Sequence, residues 1–311
     1  MGVSAATAAE VVVLAGGTGG AKLARGMLDV VGAERLAVIA NTGDDIEIYG
    51  ASVSPDPDLV SFWLADQIDE RGWGLAGDTF AVMDALRELG RDVWFNLGDR
   101  DLAWCMERAR MLSDGHSATS ALAALNASIG LAVRVLPMSD RRVRTRVRTP
   151  AAGWCEFQQF MIRERARGPV EGLEYAGAQS AAPSPEVLGA LAGARTIVIG
   201  PSNPLASIGP ILALPGMREA LAGARAPVVA VSPIVGGEVL KGPTRAFMQF
   251  ARLPCDAGGV AGFYAGVIDG MVSDEHVEGL PVLCTDTAMG DAPARARVAE
   301  SVLEFARSLD G

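Results

Sequence analysis

The chain has 311 residues, 50% of them hydrophobic, and a formal charge of −10, enough material to bury a sizeable core in one elaborated domain. The acidic balance argues against a nucleic-acid or anionic-membrane partner, which needs clustered basic charge to replace counterions. With no charge-free apolar run of membrane-spanning length and no basic start in residues 1–10, the chain reads as soluble and cytoplasmic.

The first predicted strand, Val11–Ala15, runs straight into Gly16, Gly17, Thr18, Gly19 and Gly20, then into a helix over Ala21–Val31. Glycines there let backbone amides approach a ligand without a Cβ in the way, and a helix N-terminus adds partial positive charge, so an anion, phosphate above all, is expected at this turn. A merely tight β–α turn is the alternative. The pattern is neither a Walker A loop, since Leu23 follows Lys22, nor a full dinucleotide fingerprint, since Lys22 stands where the third glycine belongs.

Further apolar runs predict strands over Leu36–Ala40, Val93–Phe95, Leu131–Leu136, Thr196–Ile199, Val228–Val231 and Pro281–Cys284. Helical patterns fall between most of them, over Thr79–Leu89, Asp101–Leu112, Ala118–Ile129, Pro185–Leu191 and Ala292–Leu309. Alternation of this kind predicts an α/β, Rossmann-like fold: a mainly parallel sheet with helices on both faces and ligands beyond the strands' carboxyl ends. Residues 140–183 break the rhythm with RRVRTRVRT and a Gly- and Pro-punctuated stretch, and read as a small inserted α+β subdomain. Residues 1–139 and 184–311 then form the catalytic domain. The five arginines from Arg141 to Arg148 suit a phosphate-rich ligand or, more plainly, a solvated strand face.

Three acidic clusters follow predicted strands: Asn41-Thr42-Gly43-Asp44-Asp45, Ser54-Pro55-Asp56-Pro57-Asp58 and Asn96-Leu97-Gly98-Asp99-Arg100-Asp101. Carboxylates converging on one sheet edge suit magnesium, which takes one or two carboxylates, waters and substrate phosphate. Helix capping competes as an explanation for Asp56 and Asp99, less so for the adjacent Asp44 and Asp45. Two more strand ends carry small donors, Gly200-Pro201-Ser202-Asn203-Pro204 before Ser207, and Ser232-Pro233 before Gly236-Gly237 and Lys241; Ser207 is equally readable as a helix cap. Lys22 and Lys241 are the only lysines, and both lie near glycine-rich stretches. The histidines His116 and His276 stand far apart, and Cys105, Cys155, Cys255 and Cys284 form no C-x-x-C pair, so neither zinc-ribbon nor H-E-x-x-H chemistry is indicated. Phosphoryl-transfer chemistry with Mg²⁺ fits this inventory better than hydride or acyl transfer. Four of the five tryptophans, Trp63, Trp73, Trp94 and Trp104, sit in the acid-rich part; core or rim packing is the plainer role for most of them, and stacking of one on a flat heterocycle is the alternative.

Taken together, GGTGGAKL, NTGDD, SPDPD, DQIDERGWG, LGDRD, LPMSDR, GPSNP, SIGPI, LPGMRE and VSPIVGG, in order from about residue 11 to 275, resemble the 2-phospho-L-lactate transferase family of coenzyme F(420) biosynthesis. The resemblance implies a Mg²⁺-assisted enzyme that takes a guanosine diphosphate-linked three-carbon acid (lactyl, enolpyruvyl or glyceryl). It transfers the phospho-acid to the ribityl hydroxyl of the deazaflavin Fo and releases GMP. It further implies Fo binding by Asp58 and Asn96, metal binding and catalysis by Asp45 and Asp58, and donor binding by Gly16, Gly17, Thr18, Gly19, Gly20, Lys22, Ser202 and Asn203. Many relatives carry lysine at the position of Asn96, and the pattern LPMSDD ends here in Arg141. The family admits a homodimer. A nucleotide-sugar-binding regulator of the same superfamily shares the GGTG opening but is less well matched by the SPDPD, LGDRD and GPSNP set, and a nicotinamide dehydrogenase needs a complete G-x-G-x-x-G.

Overall fold

The computed structural model describes residues 9–239 and 242–309. In chain order the strands are β1 Val11–Ala15, β2 Leu36–Ala40, β3 Ile46–Ile48, β4 Ala51–Val53, β5 Arg134–Pro137, β6 Arg144–Thr149 and β7 Gly153–Glu156. They continue with β8 Gly172–Ala176, β9 Thr196–Ile199, β10 Val228–Val231, β11 Ile234–Val235, β12 Glu238–Val239, β13 Gly270–Ser273 and β14 Val282–Cys284. The helices are α1 Gly17–Val31, α2 Pro55–Leu64, α3 Ala81–Glu88, α4 Asp99–Ser113, α5 Ala118–Ser128 and α6 Phe157–Ile162. After these come α7 Pro185–Gly193, α8 Gly209–Leu212, α9 Met217–Ala222, α10 Thr244–Phe250, α11 Ala257–Phe263 and α12 Ala292–Leu309.

Seven strands form one parallel sheet in the order β14-β13-β10-β9-β1-β2-β5. Such strands are buried on both faces, which is why β1, β2, β9 and β10 read as continuous apolar runs. Val12, Leu14, Ala37 and Ile39 face one core with Leu191, Ile208, Ile211 and Met217. Val13, Ala15, Val38 and Ala40 face the other, against Leu23 and Met27 of α1 and Val298 and Val302 of α12. The chain leaves β1 towards β2 and β5 on one side and later resumes at β9 on the other. The strand order therefore reverses between β1 and β9, the place where open α/β sheets leave a crevice for ligands.

Residues 140–183 do contain the expected antiparallel structure, a sheet in the order β7-β6-β8, with α6 between β7 and β8. Its apolar face is continuous with the main core, because Val143, Val147, Phe157 and Phe160 pack in the same cluster as Ile199 and Phe247. Residues 41–133, between β2 and β5, carry a core of their own built from Val53, Phe62, Met83, Leu97, Leu102 and Trp104. Here the structure differs from the sequence reading. Val93–Phe95 is irregular rather than a strand, and its side chains pack into this small core instead. The SPDPD segment opens helix α2 rather than forming a loop, with Pro55 fixing the first-turn dihedral and Asp56 and Asp58 in the first turn.

Candidate active site

The parallel register brings Ala15 level with Ala40 and Leu14 level with Ile199, so the turns at Gly16, Asn41 and Gly200 emerge along one edge. Over that edge lies a cleft of about 730 Å³. Its wall includes Gly16, Gly17, Thr18, Gly19 and Lys22 from the first turn, Asp44, Asp56, Asp58 and Asp101 from the acidic clusters, and Ser202, Asn203 and Ser207 from the turn after β9. Trp73, Phe95, Leu97, Phe157, Met161 and Ile162 add apolar surface, so the cleft offers polar groups and aromatic walls to one ligand set. Of the expected site residues, Asn96 also lies in the wall, whereas Gly20 and Asp45 do not. Lys241 is outside the described residues.

The glycine turn is shaped by close approach. Gly17 has φ +65 with open space where a Cβ would stand, while a Cβ on Gly19 would sit 2.1 Å from the Pro201 carbonyl oxygen. Helix α1 has no cap from its own neighbours. Instead Asp56, far along the chain, accepts the Gly17 N–H at 2.7 Å. The capping account of Asp56 thus holds, but for α1 rather than for α2. Asp56 also accepts from Asn41 Nδ2 at 2.9 Å, and Gly16 N–H donates to Ser202 Oγ at 3.2 Å, which ties the β1 and β9 turns together. Asn203 spends its Oδ1 on the N–H groups of Leu205 and Ala206 as the cap of a π-helical turn, and its buried Nδ2 has no partner among the described residues; Ser207 lies within that turn and does not cap it. A π-turn at a strand end is a recurrent mark of a functional site.

Electrostatically the carboxylates divide into two groups. Asp44 is 5% exposed, and its Oδ1 is buried without a hydrogen-bond partner among the described residues. Burial and the neighbouring Asp56 carboxylate hold Asp44 well above the ordinary carboxylate range, and burial pushes Asp56 up to about 6. Arg144 favours ionised Asp44 from a distance, while its Nη1 donates to the Val143 carbonyl and its Nη2 to Glu47. Asp58, by contrast, is bonded through both oxygens to Arg108 and through Oδ1 to Trp104 Nε1 at 2.9 Å. Asp101 lies beside this pair, pushed up to about 7 by burial and by Asp58. Asp45 accepts from Ser54 Oγ at 2.7 Å, and burial raises it to about 7.

The remaining acids and polar groups resolve into structure. Asp99 accepts from Thr79 Oγ1 and the N–H groups of Ala81 and Val82 at the start of α3. Asp78 does the same for the Arg100 and Asp101 N–H groups of α4, so the two helices cap each other. Asn96 accepts from Arg87 at 2.7 Å, and Lys22 Nζ lies 5.8 Å from the centre of the Trp63 ring. Trp73, 42% exposed at the cleft wall, has the Arg71 guanidinium 4.4 Å from its ring centre. Arg108 belongs to none of the sequence motifs, although the sequence carries a signal for it. It shares the buried face of α4 with Leu102, Cys105 and Met111, where a cation is out of place unless it has a partner.

Comparison with known proteins agrees with this architecture. A solved structure, protein BH3568 from Bacillus halodurans, superposes with a TM-score of 0.62 at 18% identity, covering 95% of this chain and 99% of that one, which bears on the fold alone. A phosphoenolpyruvate transferase from Kitasatospora aureofaciens is 41% identical over 316 residues, 96% of this chain and 98% of that protein. A 2-phospho-L-lactate transferase from Methanosarcina mazei is 40% identical over 85% of this chain and 87% of its own, and one from Methanocaldococcus jannaschii is 36% identical over 96% and 99%. With residues 11–289 also matching its sequence profile, the chain belongs to the 2-phospho-L-lactate transferase CofD family.

Proposed function

We propose that this transferase moves a three-carbon phospho-acid from its guanosine diphosphate-linked donor to the ribityl hydroxyl of Fo in coenzyme F(420) biosynthesis. In this reaction the Fo hydroxyl oxygen attacks the phosphorus bearing the small acid and its proton passes to water or a carboxylate of the cleft, while the bond from that phosphorus to the bridging oxygen breaks and GMP departs with the bridging oxygen as a phosphate anion. The single observation that carries the reading is the cleft at the β1/β9 reversal, where a glycine turn, buried carboxylates and an aromatic wall meet in a chain of this family. The reaction needs alignment and charge neutralisation more than a strong base, which matches a cleft whose wall carries no histidine among the described residues. The relatives compared above, at 36–41% identity, are all named as transferases, which disfavours a nucleotide-sugar-binding regulator.

In this reading Gly16 to Gly19, Lys22, Ser202 and Asn203 receive the donor, with the unpaired Asn203 Nδ2 available to it. Asp58, Asn96 and the aromatic wall receive Fo. Asp45 bonds Ser54 and lies outside the cleft wall, so of the two expected catalytic carboxylates only Asp58 is at the cleft surface.

The donor set also bears on Mg²⁺. Asp58 is already neutralised by Arg108, whereas Asp44 has a buried oxygen without a partner among the described residues and Asp56 accepts only from neutral donors, so Asp44 and Asp56 fit a hard divalent cation best. Bound there, the cation would neutralise the charge of the donor's diphosphate, which two carboxylates at the glycine turn otherwise repel. Fo and GDP titrated separately into the protein, with thermal shift as the readout, test the assignment: both stabilise it, and GDP does so more strongly with Mg²⁺. Stabilisation by UDP-sugars or NAD and not by these two ligands would overturn it.

A further inference from the structure

We infer that Arg108 and Trp104 are positioning residues that hold the Asp58 carboxylate in a single orientation at the wall of the cleft. Asp58 comes from the first turn of α2 and is 4% exposed. Trp104 and Arg108 stand one helical turn apart on α4, so both reach it from the same face. The guanidinium bonds both carboxylate oxygens, with Nη1 to Oδ2 at 3.0 Å, and Trp104 Nε1 donates to Oδ1 at 2.9 Å. Arg108 is fixed in turn, because Nη1 also donates to the Ser52 carbonyl oxygen at 2.9 Å. Two donors on Oδ1 and one on Oδ2 leave the carboxylate's remaining accepting capacity chiefly on Oδ2.

Stability alone does not account for the arrangement. A buried ion pair contributes little net stability against apolar side chains of the same volume, since desolvation offsets the attraction. The Trp104 ring would still pack edge-on against Phe62, 5.4 Å away, without its N–H. What the three hydrogen bonds add is direction, which a group that must meet a substrate hydroxyl requires. Asp58, Asp101 and Cys105 also lie close enough together to resemble a metal-ligand set. The guanidinium already supplies the positive charge there and bonds both Asp58 oxygens, which opposes a second cation. The clamp therefore serves as the acceptor of an uncharged hydroxyl, and, on the reading given above, that hydroxyl belongs to Fo.

The test uses the full chain carrying Trp104→Phe, which keeps an aromatic ring and deletes the donor, and Arg108→Lys beside Arg108→Met. The affinity for Fo, the affinity for GDP with Mg²⁺, the kcat and the Tm are measured for each. Removing one hydrogen bond to a charged group predicts that Trp104→Phe weakens Fo binding or kcat on the order of tenfold, with GDP affinity and Tm close to wild type. Arg108→Lys should retain more Fo affinity than Arg108→Met. Wild-type Fo affinity and turnover in Trp104→Phe and Arg108→Lys would overturn the inference, as would parallel losses of Fo affinity, GDP affinity and Tm. A wild-type protein that binds GDP but not Fo would instead overturn the assignment of Fo, and this inference with it.

Discussion

Gly17 and Gly19 lie two residues apart and answer to different constraints. Gly17 needs only its positive φ, so Gly17→Ala is predicted to cost about 1 to 2 kcal/mol. Gly19 faces the Pro201 carbonyl oxygen, so Gly19→Ala has to displace backbone and is predicted to cost more. Urea denaturation compares the two, and a smaller loss at Gly19 would contradict this account of the turn. Asp44→Asn removes a carboxylate whose ionised form is disfavoured by burial and by the neighbouring Asp56. It is predicted to raise the Tm of the cation-free protein while weakening Mn²⁺ binding, followed by electron paramagnetic resonance, on the order of tenfold; unchanged Mn²⁺ affinity would move the cation site away from Asp44. The glycine turn and the acidic clusters were legible because such residues are costly anywhere but at a turn, a cap or a site. The partners of those acids were not, since Arg108 is 50 positions from Asp58 and Asp56 caps a helix 39 positions away.

At the scale of elements, the parallel strands were legible because burial on both faces leaves an unbroken apolar run, as in β1 and β2. The short pieces of residues 41–133 were not. Val93–Phe95 has the composition of a strand but packs as irregular chain against the small core, and α2 has buried residues almost all round, including Asp56 and Asp58, which blurs its helical period. Its start signals, Ser54 before Pro55 with acids in the first turn, were nonetheless in view. The insert at 140–183 looks separate in sequence, but its Phe160 is fully buried and packs edge-on to Phe247 at 6.0 Å. Phe160→Ala is therefore predicted to cost about 3 to 5 kcal/mol and to destabilise the whole chain in one transition. A separate low-temperature transition in calorimetry would show the insert to be an independent unit.

For the whole molecule, the strand order places the cleft and the acids give it its charge. Burial raises Asp44 well above the ordinary range, Asp45 and Asp101 to about 7 and Asp56 to about 6. Acids whose pKa is higher in the folded than in the unfolded state bind more protons when folded. Their cost to stability is absent below the unfolded pKa of about 4 and complete above the folded one. The cation-free protein is accordingly predicted to show a higher Tm at about pH 6 than at about pH 8, with Mg²⁺ narrowing the gap, and a Tm that rises across this interval would contradict it. The central claim is tested most directly by incubating the protein with Fo, Mg²⁺ and each guanosine diphosphate-linked three-carbon acid, then measuring the masses of the products. The expected products are Fo enlarged by one phospho-acid and an equal amount of GMP, both lost in excess chelator. Release of GDP, or Fo recovered unchanged with every donor, would contradict that claim.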